Sequence, residues 1–139
     1  MLSIYAALFF TVALLVTTTY FILGGLPLLV LDHSTPLDGR FIRRFFEVYC
    51  TSAQVAAVGA SVSYAFSGYF GFTLWTAAIA LVVTGFRRTI LPGMEKFAAR
   101  IAHNEARAVR SFRLTHSAAL LINLMQLVVL VWGVLQLSL

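Results

Sequence analysis

Among the side chains of the types that hold metal ions, His33, Glu47 and His116 are the set that could act together. Imidazole and carboxylate together suit zinc, copper, nickel or iron. Each lies at the edge of a long apolar run, so three membrane spans would bring them to one depth. No two of them share a short ligand spacing such as HxxxH or ExxH. Interfacial salt bridges and hydrogen bonds are the plainer use of such positions, and a metal site the sharper one. A bis-histidine haem in mid-membrane is disfavoured, because no histidine lies deep within a run. The sequence requires no cofactor and specifies none.

The amides Gln54, Asn123 and Gln126 do lie inside apolar runs. Gln54 and Asn123 each fall about nine residues past the entry of their helix, about 13 Å deep at 1.5 Å per residue. A hydrogen bond between them would join the second and fourth helices, worth about 0.6–2 kcal/mol. The functional alternative is a polar lining for a permeating solute. Thr17, Thr18 and Thr19 can satisfy themselves on carbonyls of their own helix. There is no nucleophile–base–orienter set, phosphate loop or carboxylate pair, so an ordinary hydrolase or kinase is not indicated.

The elements that must position these residues follow from composition. Of 139 residues, 60% are hydrophobic and 11% charged, and the mean hydropathy is +0.92. A soluble domain of this size could not bury so much apolar surface, which implies lipid as the solvent. Four spans are expected, over about 2–31, 36–66, 70–86 and 114–138, forming an all-α four-helix membrane bundle as one domain. The first run lacks a basic leader and is too long for a signal peptide, so it reads as a retained helix. Cys50 is the only cysteine, which rules out an intrachain disulfide.

The ten basic residues fall in two windows: Arg40, Arg43 and Arg44, then Arg87, Arg88, Lys96, Arg100, Arg107, Arg110 and Arg113. With four spans, both windows lie on one side, and the positive-inside rule makes that side the cytoplasm. Both termini are then extracytoplasmic, in what reads as a bacterial inner membrane. Tyr5, Tyr64, Tyr69, Trp75 and Trp132 would gather near the outer interface as an aromatic belt. The net charge of +5 is thereby a topology signal. Nucleic acid is not an expected partner; anionic lipid is, at about 1 kcal/mol per basic residue near the surface.

Thr35-Pro36-Leu37-Asp38 has the form of a capping box and starts the second helix near Pro36. On that helix Arg40 and Arg44 share a face, and Arg43 and Glu47 have i, i+4 spacing. Further along, Ala53, Ala57, Ser61 and Ala65 recur every four residues, a small-xxx-small surface for a neighbouring helix or another subunit. Residues 93–113 read as a basic amphipathic cytoplasmic helix before the fourth span. Met94, Phe97, Ala98, Ile101, Ala108 and Phe112 line one side of it, and Lys96, Arg100, His103, Arg107 and Arg110 the other.

The stretch "ILPGMEKFAARIAHNEARAVRSFRLTHSAALLINLMQL" resembles domain-of-unknown-function family 4149, small four-helix membrane proteins similar to the membrane domain of copper-resistance protein D. The likeness rests on Pro92 after span three and on Phe112, His116 and Asn123 opening span four, with Gln126 and "DGRFIRRFFEVY" fitting as well. It implies a four-helix fold and supplies no activity. Three functions stand open. The favoured one is a non-catalytic accessory or assembly subunit of a larger membrane complex. The alternatives are a membrane protein handling a metal ion or small solute, and an interfacial enzyme or binder of a porphyrin, quinone or lipid.

Overall fold

A computed structural model describes residues 2–30, 36–101 and 106–138. They form four helices: α1 Leu2–Leu28, α2 Pro36–Phe66, α3 Phe70–Ile101 and α4 Ala106–Ser138. By length and composition three stretches can cross a membrane: Leu2–Leu28, Phe70–Lys96 and Arg107–Gln136. The chain is therefore an integral membrane protein. The remaining helix, α2, is long enough at 31 residues. Asp38, Arg40, Arg43, Arg44 and Glu47 in its first turns, with Ser and Gly further along, lower its hydropathy below that of its neighbours.

The helices pack in a ring, α1 on α2, α2 on α3, α3 on α4 and α4 on α1, with α2 and α4 on the diagonal. The buried positions of α2 explain its central role. Ile42, Phe46, Tyr49, Ala53, Ala56, Ala60 and Tyr64 are all within the core, spaced by three and four residues so that one face of the helix points inward. The α2–α3 connection is equally local in origin. Gly68 has φ +78°, the left-handed conformation that glycine adopts without penalty. The Tyr69 amide donates to Tyr64 O at 3.1 Å and the Gly68 amide to Ala65 O at 3.2 Å, which is a Schellman cap on α2. This turn defines one end of the bundle; the opposite end carries the basic residues.

Three expectations change. The amphipathic stretch 93–113 is not a separate helix. Helix α3 runs on through Pro92 and Gly93 to Ile101, and residues 106–113 open α4. Its two-faced pattern holds where side chains are described. Met94, Ala108 and Phe112 are buried, while Lys96, Arg100, Arg107 and Arg110 are exposed. Secondly, Arg43 does not pair with Glu47. It reaches across to Glu95 on α3 at 3.5 Å, and Arg44 takes Glu47 at 3.1 Å. Thirdly, Tyr64 is fully buried rather than part of an interfacial belt. Thr11 Oγ1 donates to Ala7 O at 2.8 Å. The single hydroxyl proton of Thr11 is thus committed, so the Tyr64 hydroxyl donates to Thr11 Oγ1 at 3.0 Å.

Helix α1 continues through Pro27 to Leu28. The residues that would complete the capping box, and also Asp32, His33 and His103, lie outside those whose side chains are described.

Candidate functional site

All four helices contribute rings to a layer toward the basic end. Phe21 of α1 stacks on Tyr49 of α2 at 4.0 Å between centroids and meets Phe46 edge-on at 4.8 Å. Phe46 stacks on Phe86 of α3 at 5.9 Å and meets the His116 ring of α4 edge-on at 5.2 Å. Offset and edge-to-face contacts of this kind favour a fixed geometry beyond the area they bury. His116 is fully buried in this layer.

Polar groups are built into the same layer. The Tyr49 hydroxyl donates to Asn123 Oδ1, and Asn123 Nδ2 donates to Ala119 O at 2.8 Å. Gln126 Nε2 approaches the Tyr49 hydroxyl at 3.5 Å. Thr18 Oγ1 is buried beside the same hydroxyl, without the alignment of a hydrogen bond. Tyr49 is therefore the hub of a network that ties α2 to α4 across the diagonal. In hydrocarbon, leaving such groups unpaired is costly, so the network fixes the rotation of α4 about its own axis.

The expected Gln54–Asn123 bond does not form, because Gln54 points toward α3. Its Nε2 donates to Thr84 Oγ1 at 3.1 Å, and its Oε1 accepts from Arg87 at 3.2 Å. A phenol, Tyr49, reaches Asn123 instead; a Tyr one turn before a buried amide was the sequence signal available. Arg87 has no carboxylate within ion-pair distance among the described residues. Its side chain leans back along α3 toward the lipid-embedded part, as helical side chains lean toward the N-terminus.

Of the metal-type residues, Glu47 and His116 do not meet. Glu47 turns outward to Arg44, while His116 faces inward against Phe46. Among the described residues no group of three His, Cys, Asp or Glu side chains comes together. The small face of α2 also acts inside the chain. Ala53, Ala56, Ala57 and Ala60 are buried, and Ser61 Oγ donates to Thr73 O on α3 at 3.2 Å.

Two features lie on the outside of the bundle. A groove of about 330 Å³ between α3 and α4 is lined by Trp75, Ile79, Val82, Met125 and Val129, with the Gln126 amide at its floor. The Trp75 indole lies against the backbone at Gly133, where a Cβ would collide with it. The second feature is the outward face of α2, bordered by hollows of about 240, 300 and 450 Å³. Comparison with protein-family models, with curated proteins and with solved structures gives no match.

Proposed function

We propose that the protein is a non-catalytic, four-span integral membrane protein that works by helix association, as an accessory or assembly subunit of a larger membrane complex. The outward face of α2 carries this reading. It exposes Val48, Val55, Val58 and Val62, together with Thr51 and Ser52, beside the Arg44–Glu47 pair. Short β-branched and hydroxyl side chains there, on the helix with the lowest hydropathy, suit a neighbouring helix better than acyl chains. Crossing of the membrane by α2 as well, with the basic end in the cytoplasm of a bacterial inner membrane, accords with the positive-inside rule. Arg88, Lys96, Arg100, Arg107, Arg110 and Arg113 would then lie among anionic headgroups.

The polar layer supports the same reading, since its hydroxyl and amides are engaged with one another and with backbone. The test is solubilisation of native membranes in mild detergent, followed by native electrophoresis and mass determination. A discrete species heavier than one chain is expected. Recovery of a lone monomer from native membranes would overturn the proposal.

A further inference from the structure

We infer that the groove between α3 and α4 binds an isoprenoid quinol drawn sideways from the bilayer, with the Gln126 side-chain oxygen accepting from one of its hydroxyls. No α2 residue lines this groove, so the inference goes beyond the accessory-subunit reading and does not depend on it.

One backbone carbonyl fixes the direction of every hydrogen bond that leads to the groove. Ala119 O can only accept, so the Asn123 amide turns its nitrogen toward it at 2.8 Å and its oxygen toward Tyr49. That oxygen has no proton to give, so the Tyr49 hydroxyl donates to it. The lone pairs of the hydroxyl then face a donor, and Gln126 presents Nε2 at 3.5 Å. The chain of donors ends at Gln126 Oε1. An amide oxygen can only accept, and among the described residues nothing donates to this one. Gln126 is only 8% exposed, and its amide forms the floor of the groove. A nearly buried acceptor left open in an apolar wall calls for a donor from whatever fills the groove.

Depth and charge narrow what can supply that donor. Gln126 lies 13 residues past Arg113, about 20 Å at 1.5 Å per residue. It lies 12 residues before Ser138, where α4 ends, and so near the middle of the span. Among the described residues no charged one lines the groove. An ionised phosphate or carboxylate would be costly there without a counter-charge. The donor must therefore be an uncharged hydroxyl that can leave the headgroup level. A hydroquinone on an isoprenoid tail is such a molecule, since its flat ring carries two hydroxyls and no charge. Its oxidised form carries carbonyls, which cannot donate to Gln126. Trp75 offers the ring an aromatic wall and Met125 a polarisable thioether, both favourable to aromatic contact. Trp75 Nε1 is buried without a partner, a donor to which the second hydroxyl can offer its lone pairs. The groove volume of about 330 Å³ falls within the range of small-molecule sites, about 300–1,000 Å³.

Tryptophan fluorescence tests the site. The chain has two tryptophans; Trp132 is exposed and outside the groove lining, so Trp132→Phe leaves Trp75 as the reporter. This protein, purified in detergent, is titrated under anaerobic conditions with a short-chain ubiquinol and with the matching ubiquinone, and saturable quenching gives each Kd. The quinol is expected to bind about tenfold more tightly, as one hydrogen bond in an apolar site allows, and dodecanol is expected not to displace it. Gln126→Leu is expected to remove the preference for the quinol. Ala78→Phe, at an exposed position on the groove, is expected to abolish saturable quenching while leaving helical content by circular dichroism unchanged. Equal affinity for quinol and quinone, or a preference that survives Gln126→Leu, would overturn the inference. So would quinol binding unaffected by Ala78→Phe, which decides the matter should Gln126→Leu fail to fold. Displacement by dodecanol at the quinol's own concentration would refute the quinol as occupant, and absence of saturable quenching would refute the site.

Discussion

The half of the bundle near the Gly68 turn sets a run of small buried residues, Ala7, Ala53, Ala56, Ala57 and Ala60, around one large one, Tyr64, which stacks on Phe72. The half near the basic end is assembled from rings, with Phe21, Phe46, Tyr49, Phe86, Phe112 and His116 buried. In the first, the alanines of α2 let neighbouring helices approach, and little can be added beside them. In the second, rings set the spacing, and polar atoms can be admitted between them provided that they satisfy one another. Hydrophobic burial does not itself drive helices together in lipid, so the two halves represent two ways of obtaining cohesion from packing.

This contrast can be broken by substitution, with thermal unfolding in detergent as the readout. Phe46→Ala should have the largest effect, about 3 kcal/mol, because it removes a ring touching three helices. A negligible loss would mean that the aromatic layer does not set the spacing. Ala57→Leu should cost about 2 kcal/mol by overpacking, since the turn half has no slack to receive it. Were this variant as stable as the parent, the claim of close backbone approach would fail. Tyr49→Phe strips the donor from Asn123 Oδ1 and should cost about 1–2 kcal/mol. Adding Asn123→Leu should return part of that loss; a further additive loss would show that the two residues are not coupled. Thr11→Val should have the smallest effect, about 0.5–1 kcal/mol, through one lost hydrogen bond to Tyr64. An effect larger than that of Tyr49→Phe would invert the ranking of the two polar contacts.

Much of the architecture was legible in the sequence. Pro36 and Gly68 bracket α2 as local chemistry requires; of the small residues at four-residue spacing Ala53 and Ala57 are core, while Ser61 is half-buried and Ala65 exposed. Side-chain partners were less legible. Gln54 and Asn123 sit at matching depths, yet depth does not reveal the direction around the helix axis. About 100° per residue separates a bond to α4 from one to α3, and the ring order that decides between them is a tertiary property. Glu47 and His116 failed to meet for the same reason, with Phe46, one residue before Glu47, taking the inward direction. The amphipathic stretch was read as one helix because no Pro or Gly interrupts it after Met94. Its division between α3 and α4 depends on α3 tolerating Pro92, which propensity argues against.

That tolerance has a mechanical consequence. Helix α3 has 32 residues, about 48 Å at 1.5 Å per residue, against a hydrocarbon core of about 30 Å. Pro92 cannot donate to the carbonyl of Arg88, so the rod lacks one of its internal ties there. Below that level Phe86 locks α3 into the ring layer; above it Met94 remains buried in the core and Glu95 takes Arg43 of α2. The tie missing at Pro92 therefore falls where Met94, buried two residues further on, still holds the basic tip to the packed segment.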